Sequence, residues 1–151
     1  MWNEIGHGFS RINTDQEMKH EELTQKIIGV FYEVYNELGH GFLESVYEKA
    51  MAIAFHEKGI IFEQQVEIPV WFHGQRAGIF FADIVVENTV ILELKAVRSL
   101  DPAHEAQLLN YLRATEIEIG LLLNFGVRPE VKRRIYDNPR KNSKIIRENP
   151  C

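Results

Sequence analysis

The sequence predicts an α/β sandwich of element order ααβββαβ(β) around one mixed sheet. Three observations carry this prediction. Apolar residues recur at helical spacing as far as Gly59, and then alternate with period two from Ile61 to Val97. A capped helical segment, about Pro102 to Ala114, separates that block from the apolar run 118-EIGLLLNF-125. A helix between two strands of one sheet suggests a parallel crossover, whereas the short turns before it suit antiparallel pairs.

The first helix is read from 21-EELTQKIIGVFYEVYNELG-39, where Leu23, Ile27, Val30, Phe31, Val34 and Leu38 share a face and Gly39 is the stop. After the break 39-GHG-41, where Gly41 allows a sharp turn, comes 42-FLESVYEKAMAIAFHEKG-59. Its core candidates are Val46, Met51, Ile53, Ala54 and Phe55, and Gly59 is its C-terminal signal. The strands 61-IFEQQVEIPVWFHG-74 and 77-AGIFFADIVV-86 flank a turn at 73-HGQR-76, and 89-TVILELKAV-97 follows. These read as three consecutive antiparallel strands. Asp101 can cap the next helix, and Pro102 at its first position loses no needed N–H. The run 118–125 is a buried fourth strand, and 130-EVKRRIY-136 a last edge strand. Phe31, Tyr32, Tyr35 and Phe42 sit at helical spacing and read as core rather than as a base-stacking platform. The organisation expected is a flexible segment over 1–20, one domain over 21–137, and a basic, poorly ordered tail over 138–151.

A chain of 151 residues with 45% apolar and 26% charged residues can bury a real core as a single globular domain. Its one cysteine, Cys151, excludes an intramolecular disulfide and suits a reducing compartment. The amino terminus has no signal-peptide apolar core, and no apolar run approaches the ~20 residues of a membrane helix. A cytoplasmic protein with no membrane partner is expected. Net charge is −5 but uneven: from Gly126 onward eight Lys or Arg face three acids. A basic end on an acidic body can contact phosphate, or can simply be a solvated tail.

One stretch departs from the apolar pattern. In 80-FFADIVVENTVILELKAV-97, Asp83, Glu93 and Lys95 stand inside runs that otherwise read as buried strand. Glu93 and Lys95 are two apart and share a face. A three-residue loop, Glu87-Asn88-Thr89, would pair Val86 with Val90 and set Asp83 opposite Glu93. Lys95 could be a plain ion-pair partner for these acids. In a strand apolar on both flanks, however, charge is costly unless paired or metal-bound. Two carboxylates and a main-chain carbonyl are hard oxygen donors suited to Mg²⁺ or Mn²⁺.

Asp83 followed by Glu93-Leu94-Lys95 resembles the D…(D/E)-x-K core of the PD-(D/E)XK nuclease superfamily. Upstream, 41-GFLESVY-47 resembles the string that names the GxxExxY proteins, a prokaryotic family of that superfamily. Downstream, 107-QLLNY-111 resembles the Q-x-x-x-Y of its RecB-like branch. The resemblance covers roughly Glu21 to Tyr136, with Ala82 standing where the superfamily's name has proline. It implies a restriction-endonuclease-like fold and a Mg²⁺- or Mn²⁺-dependent nuclease acting on nucleic acid, DNA rather than RNA. It further implies that Asp83, Glu93 and the Leu94 carbonyl hold the metal, with Glu44 binding directly or through water. Lys95 would orient or help deprotonate the attacking water, and Gln107 and Tyr111, on one helical face, would flank the site. His104 shares that face, with an incidental surface role as its plainer reading. Tyr47 suits packing more than carboxylate bonding.

The histidines show no zinc-type spacing, and there is no phosphate-binding glycine loop or nucleophile elbow. The alternative to an enzyme is an accessory module that keeps the nuclease fold and binds nucleic acid or protein without cutting. A homodimer or a protein partner would enlarge a small binding surface.

Overall fold

Gly39 ends the first helix and Gly59 ends the second, both with positive φ, and the chain enters the sheet only after Gly59. The computed structural model describes residues 2–136, with side chains from residue 20 onward. The elements are α1 (Trp2–Leu38), α2 (Glu44–Glu57), β1 (Phe62–Phe72), β2 (Gln75–Val86), β3 (Val90–Lys95), α3 (Pro102–Arg113), β4 (Ile119–Phe125) and β5 (Pro129–Ile135). The five strands form one sheet in chain order. β3 and β4 run parallel, and the other neighbouring pairs are antiparallel. This is the α/β architecture and order that periodicity predicts.

The local causes are legible at the turns. At the end of α2, Gly59 N–H bonds His56 O and Ile60 N–H bonds Phe55 O, a Schellman closure that needs the left-handed φ of 71° at Gly59. β1 and β2 are joined by the two residues His73 and Gly74, both with positive φ, as a tight twisted hairpin requires. α3 opens on a capping box: Asp101 accepts from Ala103 N at 2.7 Å, and His104 Nδ1 accepts from Asp101 N at 3.2 Å.

Two apolar layers enclose the sheet. On one face Ile27, Phe31, Tyr47, Met51 and Phe55 of α1 and α2 pack on Ile84, Val86, Leu92, Leu94, Leu121 and Leu123. On the other, Leu108, Tyr111 and Leu112 of α3 pack on Ile68, Val85, Ile91 and Leu122. β4 is buried along its whole length, as a strand between two helical layers must be.

The structure departs from expectation in several places. α1 begins at Trp2 rather than near Glu21. No proline interrupts residues 2–20. On α2, Val46 and Ile53 are 38% and 50% exposed, not core. The buried set is Tyr47, Met51, Ala52, Ala54 and Phe55, because the buried Tyr47 rotates the helix. Its hydroxyl donates to Gly39 O at 2.6 Å and accepts from Phe42 N, and its ring stacks on Phe125 at 4.1 Å. Tyr32 and Phe42 are likewise exposed, while Phe31 is fully buried and Tyr35 partly so. The basic tail expected over 138–151 lies outside the described residues. No helix among the described residues is long and apolar enough to cross a membrane.

Candidate active site

The loop Glu87-Asn88-Thr89 sets the register of the β2–β3 hairpin. Glu87 and Asn88 both take left-handed φ values, Thr89 N–H bonds Val86 O, and Val86 pairs with Val90 as expected. The ladder continues through Val85↔Ile91 to Ile84↔Leu92 and stops there. One step further, Asp83 and Glu93 use their side chains instead. Asp83 N–H donates to Glu93 Oε1 at 3.1 Å, and Leu94 N–H donates to Asp83 Oδ2 at 2.8 Å. Both carboxylates are therefore fixed by main chain where the two strands part.

β1 carries a matching irregularity. Gln65 falls opposite Asp83, between the pairs Gln64↔Ile84 and Val66↔Ala82, and has φ +51°. A left-handed conformation costs a non-glycine residue roughly 1–2 kcal/mol. The strain marks a reversal of faces. Phe62, Ile84 and Val86 pack with α1 and α2, whereas Val66, Ile68 and Ala82, of the same parity, pack with α3. Asp83 thus sits where the hairpin twists over and can be approached from both layers.

From the α2 side, Glu48 accepts from Gln64 at 2.8 Å and from Gln65 at 2.9 Å, and Gln65 Nε2 lies 3.5 Å from Asp83 Oδ1. Sequence reasoning missed Glu48 and Gln65. Glu48 was findable, since it lies four residues after Glu44 and shares its helical face. Gln65 was not, because nothing local marks a left-handed residue inside a strand. Glu44 is the exposed first residue of α2, close enough to act electrostatically on Asp83 and Glu93.

From the other side, Gln107 Nε2 donates to the Tyr111 hydroxyl at 2.9 Å, and Tyr111 is 4% exposed. Its acidity is lowered, with the pKa pushed up to about 12 by burial and then by the charge of Glu93. His104 is occupied by the capping box, and Tyr47 by the 39-GHG-41 break. Lys95, at the end of β3, is half-buried and makes no ion pair among the described residues. The segment after it is clamped by the buried Asn124, which bonds both polar main-chain atoms of Val97 and also Glu130.

Glu93 is 4% exposed, and its carboxyl is raised to about 8, first by burial and then by the charge of Asp83. Asp83 is raised by burial and by Glu48 and Glu44, against the opposing hydrogen bond from Leu94. Lys95 lowers both but does not balance them. A buried and a partly buried carboxylate, short of positive charge, are a donor set that fits a hard divalent cation. Among the described residues no three acidic, histidine or cysteine side chains form a closed cage, so Glu44 is near the pair without joining it.

The expected basic end is partly engaged elsewhere. Arg134 and Lys132 pair with Glu105, and Arg133 pairs with Glu21, so these β5 cations staple the strand to α3 and α1.

A mixed sheet whose central hairpin parts around an aspartate and a Glu-x-Lys defines a nuclease-like α/β protein. The chain belongs to the PD-(D/E)XK nuclease superfamily, whose family model matches residues 21–134. No curated protein matches the sequence. Among solved structures, it is similar to the crystal structure of SSO0001, with 16% identity over 91% of this chain and 66% of that one, at a TM-score of 0.49. It is also similar to an alkaline exonuclease (LHK-Exo) from Laribacter hongkongensis, with 14% identity over 70% of this chain and 60% of that one, at a TM-score of 0.45. The chain thus spans less than two thirds of the length of either.

Proposed function

We propose that this protein is a divalent-metal-dependent nuclease that hydrolyses phosphodiester bonds in nucleic acid, DNA in preference to RNA. The observation that carries the reading is the Asp83–Glu93 pair, with Glu93 buried and Asp83 partly so, fixed by main-chain N–H groups and short of positive charge. Asp83, Glu93 and the Leu94 carbonyl would hold Mg²⁺ or Mn²⁺, with Glu44 reaching it through water. Such an ion neutralises phosphate oxygens and lowers the pKa of water towards neutrality.

The chain's own groups do the rest. Lys95, on the same strand face as Glu93, orients the attacking water and steadies charge on the phosphate. The Tyr111 hydroxyl accepts from Gln107 and stays protonated, so its own proton is free to be donated to a substrate oxygen. Within the superfamily, 41-GFLESVY-47 and 107-QLLNY-111 support a place among the GxxExxY proteins and near the RecB-like branch. A cytoplasmic, prokaryotic setting goes with that placement, as does action as a homodimer or with a protein partner.

The test is cleavage of labelled single- and double-stranded DNA and RNA in Mg²⁺, Mn²⁺ or chelator, by the protein and by Lys95→Ala. Metal-dependent cutting of DNA, reduced at least about 100-fold in the variant, is the expected result. Binding without cutting in every metal would instead establish the accessory module.

A further inference from the structure

The distal half of the β1–β2 hairpin presents aromatic side chains that the core does not use. Phe80 is 44% exposed, and the partly buried Trp71 has the Arg76 guanidinium 5.7 Å over its ring. Between this arm and α3 lies a cleft of about 260 Å³ lined by Pro69, Trp71, Phe80, Asn110 and Arg113. The pairing of β1 with β2 shifts register between Val70 and Trp71, which re-aims the strand at the cleft wall. Arg113, in the last turn of α3, makes no ion pair among the described residues. Asn110 is exposed and carries both donor and acceptor groups.

Tyr111 links the cleft to the carboxylates. The Phe80 ring lies 5.6 Å from the Tyr111 ring, and Tyr111 lies within electrostatic reach of Glu93 and Asp83. Asn110 and Arg113 stand one residue before and two after Tyr111 on the same helix. Aromatic rings, an amide and an unpaired cation in one concavity match the three chemistries of a nucleotide: a stacking face, a hydrogen-bonding edge and a phosphate. A second copy of the chain would match the aromatics but would leave Arg113 without a role.

We infer that this cleft is a nucleobase subsite that takes one unstacked base of single-stranded DNA beside the phosphodiester held at Asp83 and Glu93. Phe80 and Trp71 supply the stacking faces, Asn110 meets the base edge, and Arg113 meets a neighbouring phosphate. A base can reach the cleft only when it is unpaired, so the substrate is a single strand or a frayed end. The inference rests on the nuclease reading above.

Binding is measured in chelator, where no cutting is required, by fluorescence anisotropy of a labelled oligothymidylate, the matching oligouridylate and a duplex. Phe80→Ala and Arg113→Ala should each weaken oligothymidylate binding about tenfold and duplex binding less than about twofold. Arg113→Ala should also reduce the salt slope of single-strand binding by about 0.7. Trp71→Phe, which keeps an aromatic ring, should stay within about threefold of the parent. In a Trp2→Phe background, where Trp71 is the sole tryptophan, its emission should be quenched as oligothymidylate binds.

Unchanged affinity in both Phe80→Ala and Arg113→Ala overturns the inference. So does equal weakening for single strand and duplex, or a preference for oligouridylate. Concentration-dependent self-association that Phe80→Ala abolishes, with oligonucleotide binding intact, would assign the cleft to a second copy. Metal-dependent cutting alongside unchanged binding in the cleft variants removes the subsite and leaves the nuclease. Cleft-dependent binding with no cutting in any metal does the reverse.

Discussion

Asp83 gives its backbone N–H to the carboxylate of Glu93 at 3.1 Å, at the point where their two strands cease to pair. A carboxylate there takes the place of the carbonyl that an antiparallel ladder would offer. The N–H of Leu94 does the same with the carboxylate of Asp83, so each acid is held by the strand opposite. The arrangement sets two carboxylates together in a partly buried place, and most of what can be tested follows from that.

The first consequence is a stability that depends on pH. Glu93 has its folded pKa raised from 4.5 to about 8. A raised carboxyl pKa means that the folded state holds the proton more tightly than the unfolded one. Its stabilising contribution is therefore complete below the unfolded value and is lost as pH rises towards about 8. In chelator, the urea midpoint should fall between pH 5 and pH 8.5, and Glu93→Gln should remove most of that fall. An equal fall in the variant would assign the pH dependence to other groups.

Divalent cations should reverse the loss. At pH 8, millimolar Mg²⁺ or Mn²⁺ should raise the melting temperature of the parent, since a ligand that binds only the folded state stabilises it. Asp83→Asn and Glu93→Gln should each abolish the rise. A rise that persists in both variants would place the cation elsewhere on the protein.

Two tyrosines should separate cleanly by function. Tyr47→Phe leaves Gly39 O and Phe42 N without their partner and should cost about 1–3 kcal/mol, visible as a lower melting temperature. Its cutting rate at low temperature should stay near that of the parent. Tyr111→Phe should cut at least about tenfold more slowly with little change in melting. Because the Tyr111 pKa is pushed up to about 12, the parent's pH–rate profile should show no limb from this hydroxyl below pH 10.

Asn124 positions the strand that carries Glu93 and Lys95. It is fully buried and holds Val97 N, Val97 O and Glu130 Oε1, all at 2.9 Å. Asn124→Ala strands those groups and should cost about 3 kcal/mol or more in urea unfolding. A loss below about 1 kcal/mol would show that water replaces the clamp.

The candidate site residues differ in how far local sequence could locate them. Asp83 and Glu93 were visible because charge inside an apolar strand is rare, and the length of the loop over 87–89 fixed their register. Gln107 and Tyr111 were visible as an i, i+4 pair on a helix whose cap, Asp101-Pro102, is local chemistry. Val46 and Ile53 misled, because the spacing of α2 admits more than one apolar face. The choice between faces was made by Tyr47 reaching back to Gly39, and no periodicity encodes that contact. Glu48 shares the helical face of Glu44 and so was findable, but its link to Asp83 runs through Gln65, whose left-handed conformation nothing local marks.

By itself the sequence determined the order ααβββαβ(β), the β2–β3 register and the identity of the central acids. Each of these rests on interactions between near neighbours in the chain: helical periodicity, strand alternation, turn conformation and the cost of burying a lone charge. Only the tertiary structure decided that the hairpin twists over at Gln65 and Asp83, and that α2 and α3 approach the carboxylates from opposite faces. It alone placed Phe80 against Tyr111, and Phe80 and Trp71 in one cleft with Asn110 and Arg113. These outcomes depend on long-range packing, in which residues far apart in sequence compete for the same volume, and that competition is settled only when the whole core closes.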